Sequence, residues 1–378
     1  MKRSTERILT THTGSLPRPS DLLPLILDKD SDKPVDEAAF ERRVGTAMAE
    51  AVNKQVETGV DVVNDGEMGK IGYSTYVKDR LTGFDGEGSR LRLAEADRYP
   101  EYFQRIADRP SMHLKLPSCN GPITLRDKEA VHKDIKRLKA AVRGVVVEDT
   151  FMTAASPGVI SLFLGNTYYP SREAYLYAIA DAMKYEYKAI ADAGFVLQLD
   201  CPDLAMGHHI GFADLGLEEF RKMVQLHVEV LNHAVADIPS EQLRMHLCWG
   251  NYPGPHEMDV PLKDIIDVVL SARPSAISFE GANPRHAHEW KIFEKVKLPE
   301  GKVIIPGVID STTNFVEHPE LVAERLVRYA KLVGKENVMA GSDCGFGTFA
   351  GTPTVDPRIV WAKFRAMAEG AKLALEEL

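Results

Sequence analysis

What most constrains this chain is a rhythm. Eight times a short β-rich run ends in a polar residue or two and gives way to a helical pattern. The runs are ILTTHTGS (8–15), DVVNDGE (61–67), DTFMTAASPG (149–158), FVLQLDCPD (195–203), RMHLCWGN (244–251), AISFEGAN (276–283), VIIPGVID (303–310) and NVMAGSDCG (337–345). Strands alternating with helices build parallel sheets, and eight such units in series point to an α/β fold, a closed (β/α)8 TIM barrel.

The intervening helices are expected at 36–58, closed by Gly59, then before Gly194, where Leu176, Ile179, Met183 and Ile190 recur at helical spacing. Further helices are expected at 218–235, 261–272, 288–296, 319–334 and 357–378. The tract 68–149 breaks the rhythm: it is charged, interrupted by Gly and Pro, and holds only a strand-like GPITL (121–125) and a helical piece at 128–143. It reads as an insertion between strands 2 and 3, within a single domain spanning 1–378. A doubly wound sheet is the rival architecture. It would need a glycine-rich phosphate loop between a strand and a helix. GFGTFAG (345–351) is only a partial match, and follows a run already carrying Asp343 and Cys344.

Composition narrows the function classes. With 378 residues, 44% hydrophobic and 27% charged, the chain has an ordinary globular make-up. Its net charge of −9 argues against nucleic-acid or anionic-membrane partners, which call for a basic face. No apolar run approaches the roughly 20 residues of a membrane span, and MKRSTERILTTHTGS lacks the apolar core of a secretory signal. Four cysteines, Cys119, Cys201, Cys248 and Cys344, are too scattered for a disulfide framework. A cytoplasmic enzyme with reduced thiols is the expectation, and there a cysteine serves as ligand or catalyst more often than as bridge.

In such barrels the chemistry sits at the C-terminal ends of the strands. Those ends carry His12 and Ser15, Asp65 and Glu67, Ser156, Asp200 and Asp203, His246 and Cys248, Glu280, Asp310, and Asp343 with Cys344. In RMHLCWGN, His246 and Cys248 are two apart on a strand and point the same way. Alone, such a pair is commoner in packing than in coordination. Neighbouring strands lie about 4.8 Å apart, so Glu280 and Cys344 can join the pair at one side of the mouth. Imidazole nitrogen at about 2.0 Å and thiolate sulfur at about 2.3 Å suit Zn2+, with Glu280 as the displaceable fourth ligand. A zinc carrying two thiolates activates water poorly but binds another thiol well. A free thiol, with its pKa near 8.5, is mostly protonated at neutral pH; coordination removes that proton and leaves the sulfur nucleophilic. The reaction class is alkyl transfer to a thiol.

At these residues the sequence resembles the cobalamin-independent methionine synthase family, specifically its catalytic C-terminal barrel, over nearly the whole chain. The family's zinc is held by a His-x-Cys pair, a glutamate after an Ile-Ser strand and a cysteine in Asp-Cys-Gly, similar here to His246 and Cys248, Glu280 in ISFE, and Cys344 in SDCG. By the same resemblance TGSLPRP (13–19) is a substrate-binding turn in which Ser15 holds the carboxylate of homocysteine. Glu67 in DGE meets its amine, and Asp200 in LQLDCPD is a second amine-binding acid. Two positions depart from the family pattern. Thr312 in GVIDSTT stands where a folate-protonating histidine is usual, and Cys201 replaces the acidic residue after Asp200. Both bear on methyltetrahydrofolate as donor, whose nitrogen must be protonated as the methyl leaves. The length and the TGSLPRP, DGEM and DCGFG stretches look closer to a single-barrel branch that includes epoxyalkane:coenzyme M transferase.

Other residues have two readings. Arg18 can meet a substrate carboxylate or sulfonate, or serve a structural ion pair. Asp310 can act as an acid, as can Asp200, or orient a ligand. His256 and His286 can line the mouth, whereas His208 and His209 are adjacent and diverge. Tyr168, Tyr169 and Trp249 can wall a pocket or fill the core, and Cys119 reads as a half-buried thiol. The expected partners are a small thiol and an alkyl donor, with homo-oligomerisation possible. The competing functions are a non-catalytic zinc- or thiol-binding barrel and a metal-free decarboxylase or lyase.

Overall fold

The computed structural model describes residues 1–88, 93–106 and 116–378. Nine strands occur among them: β1 (Val62–Val63), β2 (Phe84–Asp85), β3 (Ser118–Cys119), β4 (Asp149–Ala155), β5 (Val196–Asp200), β6 (Leu243–Leu247), β7 (Ala276–Phe279), β8 (Val303–Ile309) and β9 (Gly341–Ser342). Seven form one curled parallel sheet in the order β1-β4-β5-β6-β7-β8-β9, and β2 pairs antiparallel with β3. The long strands are buried along their length, as parallel strands covered by helices must be.

The eighth side of the barrel is the first β-rich run, and it is barely a strand. Thr10 bridges Ala340 in parallel, and Val62 N–H donates to the Thr10 carbonyl at 3.0 Å, so the segment spans the gap between β9 and β1. The run expected at 61–67 is regular only over β1; beyond it the chain turns through Gly66 and Glu67, both left-handed at φ 65° and 57°. Pro306, inside β8, has no N–H for a ladder, and the pairing with β9 slips between Gly307 and Ile309. A Cβ on Gly307 would stand 2.7 Å from Asp343 Cα, so only glycine lets β9 come this close.

Helices Glu37–Glu57, Glu129–Ala141, Arg172–Asp192, Leu217–Ala234, Pro319–Val333 and Pro357–Glu376 wrap the sheet. The second lies between the first and third, so the tract 68–149 supplies a ring helix as well as the β2–β3 pair. Where helices were expected at 261–272 and 288–296, the chain makes a 3₁₀ turn, Leu262–Asp264, a short helix, Ile266–Leu270, and the 3₁₀ stretch Glu289–Glu294.

Inside the barrel the side chains are layered. Leu9, Ala276, Val303, Ile305 and Met339 form one apolar cluster near the strand starts, and Val62, Phe151 and Val196 another. Two residues further along β5 and β6 stand Gln198 and Arg244, polar and fully buried. The next inward pair is Asp200 and His246. The interior therefore turns from apolar to polar towards the C-terminal ends, where the expected site residues lie.

Candidate metal centre

His246 is the penultimate residue of β6, Cys248 directly follows the strand, and Cys344 lies two residues beyond Ser342 of β9. The sequence separates them by almost a hundred residues; the closed barrel brings one ligand atom of each within 4.8 Å of the others. All three are buried. His246 Nδ1 faces Ser278 Oγ at 3.2 Å, while its Nε2 is buried without a hydrogen-bond partner. A hydrogen bond from the Cys344 thiol draws Cys248 well below the usual thiol range, against the opposing effect of burial. The same contact, with burial, pushes Cys344 well above it. Two buried thiols whose proton affinities are pushed apart, beside an unpartnered imidazole nitrogen, fit a soft, N/S-preferring dication. The Ser278 contact on the far nitrogen is the usual way a protein fixes a ligating imidazole.

Glu280, the fourth expected ligand, is buried on the same side but outside that 4.8 Å group. Its Oε1 accepts the Trp249 N–H at 2.8 Å and its Oε2 the Asn283 amide at 2.6 Å. Burial, then the nearby charge of Cys248, raises its pKa well above the carboxylate range. Asp343 organises this loop: Oδ1 accepts the Gly281 and Ala282 N–H groups at 2.8 and 2.7 Å, and Oδ2 the Asn283 N–H at 2.8 Å.

The other expected substrate residues gather across the mouth. Ser15 is buried against 345–347: its carbonyl accepts the Phe346 N–H at 2.8 Å and its hydroxyl the Gly347 N–H at 3.4 Å. Glu67 Oε1 accepts the Thr153 hydroxyl at 2.8 Å, and its Oε2 is buried without a partner. Asp200 Oδ1 accepts the Gln198 amide at 2.8 Å; burial, then the Glu67 charge, raises its pKa well above normal. Lys70, not anticipated from sequence, is buried beside them, its ammonium 2.8 Å from the Thr153 carbonyl. Arg18 does something other than either expectation. Its guanidinium donates to the carbonyls of Gly347, Glu67 and Lys70, pinning the three loops to one another.

Asp310 borders a cavity of about 470 Å³ that opens beside Glu280 and is also lined by Asn251, Tyr252, His256, Asn283 and Thr312. Asp310 Oδ1 is held by the Thr312 N–H and hydroxyl, both at 2.8 Å. His256, on the cavity lining, and His286 share Asp259 Oδ2 at 2.9 and 3.0 Å. Trp249 is core, stacked on His286 at 3.9 Å, and Tyr168 is half exposed.

Asn283 and Ser278 escaped the sequence reading, and Asp343 was noted there only as a strand-end residue. Asp343 directly precedes Cys344, and that adjacency was the one available signal. Ser278 acts through His246, 32 residues before it, and Asn283 through Asp343, 60 residues after it, as well as through the neighbouring Glu280.

Residues 167–371, more than half of the chain, match the family described as cobalamin-independent synthase, catalytic domain. A methionine synthase of Thermococcus kodakarensis is 24% identical over 98% of this chain and 94% of its own length. One from Sulfolobus acidocaldarius is 25% identical over 98% and 93%. Among solved structures, a B12-independent methionine synthase from Shewanella sp. W3-18-1, in complex with selenomethionine, superposes with a TM-score of 0.73. It covers 98% of both chains at 20% identity, which speaks for the barrel fold. No helix among the described residues is long and apolar enough to cross a membrane.

Proposed function

The chain belongs to the family of cobalamin-independent synthase catalytic domains, and on that premise we propose that it transfers a methyl group to the thiol of homocysteine, with zinc held by His246, Cys248 and Cys344. The observation that carries the reading is the meeting of those three side chains with His246 Nε2 buried and unpartnered. Glu280 is the fourth, exchangeable ligand, its carboxylate kept nearby by Trp249 and Asn283. Zinc bound there would strip the thiol of its proton and keep the sulfur nucleophilic at neutral pH.

The protein's own residues do the rest. Glu67 and Asp200 are two buried carboxylates close enough to raise the Asp200 pKa. An ammonium between them relieves that repulsion, which favours an amino-acid thiol over coenzyme M, a sulfonate without an amine. Ser15, packed on the Cys344–Gly347 loop, is placed for the carboxylate end. The methyl donor enters from the cavity beside Glu280. There the sulfur lone pair attacks the methyl carbon, the S–C bond forms, and the donor–carbon bond breaks with its electron pair leaving on the donor. Asp310, at that wall, supplies or relays the proton the departing donor needs.

The test is to purify the protein without added zinc, measure its metal content, and follow the zinc–sulfur count by X-ray absorption with and without homocysteine. Stoichiometric zinc, one sulfur gained with homocysteine, and methionine formed once a methyl donor is supplied are the expected results. Absence of zinc would end the proposal. A sulfur gained with no donor ever consumed would leave a thiol-binding barrel and no catalyst.

A further inference from the structure

The barrel's first segment leaves the backbone ladder just before it reaches the site. Thr11 N–H still donates to the Ala340 carbonyl at 2.8 Å. From there side chains take over. The His12 carbonyl accepts from Arg244 Nη2 at 2.8 Å, the Thr13 carbonyl from Gln198 Nε2, and Thr13 N–H donates to Ser342 Oγ at 3.1 Å. Gln198 and Arg244 are register partners on β5 and β6, and the next inward pair is Asp200 and His246. The side chains that hold the first segment thus stand one layer beneath the site.

Arg244 is the unusual member. It is fully buried, and its donors go to a hydroxyl and a backbone carbonyl, while the charges of Asp200 and Asp149 favour its cation without a hydrogen bond to it among the described residues. Its other donor goes to Thr11 Oγ1 at 3.0 Å, and its guanidinium carbon lies 4.0 Å from the centre of the Phe151 ring. Burying a cation without a contacting anion is costly, and a fold needing only a filled barrel would place an aliphatic side chain here. What the planar fork provides is two donors in fixed geometry, reaching Thr11 and His12 at once.

We propose that Arg244 is a positioning residue of the reaction, locking Thr11 and His12 onto β6 and so setting the distance from Ser15 to the His246–Cys248 pair. The inference rests on the reading above, in which Ser15 meets the carboxylate of the thiol substrate and the zinc its sulfur. Arg244 then fixes the span between the two ends of one small molecule. It matters for a thiol that carries the carboxylate, and little for one that lacks it.

The test uses full-length, zinc-loaded protein and calorimetric binding of homocysteine and of 3-mercaptopropylamine, the same thiol amine without its carboxylate. Arg244→Met should keep its zinc and weaken homocysteine binding at least tenfold, with 3-mercaptopropylamine changed less than twofold. Arg244→Lys should recover part of the loss. Thr11→Val removes one acceptor of Arg244, together with the hydroxyl's bond to the Val62 carbonyl, and keeps the shape, so it should show the same homocysteine-selective pattern at two- to fivefold, and it decides the matter should Arg244→Met not fold. Equal loss for both thiols, or no loss for homocysteine, overturns the inference. Wild-type protein that binds no homocysteine would fail the functional reading first, and this inference with it.

Discussion

Asp343 and Asn283 are tied twice over: Asp343 Oδ2 accepts the Asn283 N–H at 2.8 Å and its side-chain amide at 3.0 Å. That amide also donates to Glu280 Oε2 at 2.6 Å, so one carboxylate fixes the loop that aims another at the metal centre. Burial, then the charge of Asp310, raises the Asp343 pKa to about 6, against the three backbone N–H groups that favour its charged form. Asp343→Ala should therefore weaken zinc binding by about 10–100-fold, the usual scale for groups that orient ligands. A chelator competition titration measures this, and an affinity within twofold of wild type would refute the role.

The metal centre itself makes a sharper forecast. Cys344→Ala removes a sulfur from a three-residue set and should leave the purified protein with well under half its zinc, as should Cys248→Ala. Cys119→Ala is the control: it too is a buried free thiol, but it sits by the β2–β3 pair and is no part of the centre. Elemental analysis of the three variants decides, and equal zinc in all of them would place the metal elsewhere. Chelator-stripped wild type should lose methyl transfer and regain it when zinc is restored.

Glu67 combines a left-handed backbone at φ 57° with a buried, unpartnered Oε2 beside Asp200. Both features cost stability, of the order of 1–3 kcal/mol for a strained backbone alone, and they belong together only if a ligand answers them. Glu67→Gly should thus melt at or above the wild-type temperature while losing homocysteine affinity by roughly tenfold or more. A large drop in melting temperature would mean the side chain serves the fold instead.

Much of this was written in the order of residues. Short apolar, β-branched runs such as VIIPGVI fit parallel strands buried on both sides, and β4 to β8 lie within or against the runs read from sequence. The His-x-Cys spacing and the lone cysteine of SDCG, joined to the barrel reading and the family resemblance, named three side chains whose ligand atoms lie within 4.8 Å of one another. The first run was less legible, because its bonds beyond Thr11 come from Arg244, Gln198 and Ser342, which the chain supplies some 185 to 330 residues later. Arg18 misled for a related reason: its three acceptors are backbone carbonyls, and backbone carries no letter in the sequence. The tract 68–149 read as one insertion because helix Glu129–Ala141 follows an irregular stretch, and only packing reveals that it stands in the ring.

The cavity lining should give the protein a measurable pH dependence. His256 Nδ1 lies 2.9 Å from Asp259 Oδ2, and its Nε2 donates to the Tyr252 carbonyl at 2.9 Å. Burial opposes its charge, but the hydrogen bond and charge of Asp259 outweigh that and raise its pKa from 6.5 to about 9. The folded protein therefore holds this proton more tightly than the unfolded chain does. The stabilisation is complete below pH 6.5 and is lost as pH climbs through about 9. His256 occupies a left-handed backbone at φ 54°, which asparagine tolerates, so His256→Asn isolates the ring from the turn. At pH 6 the variant should be less stable by about 1–3 kcal/mol, seen as a melting temperature a few degrees lower. That gap should close steadily between pH 6.5 and 9.5. Melting curves of both proteins across that range decide it: a constant gap, or one that widens with pH, would mean that His256 acts through its shape and not its charge.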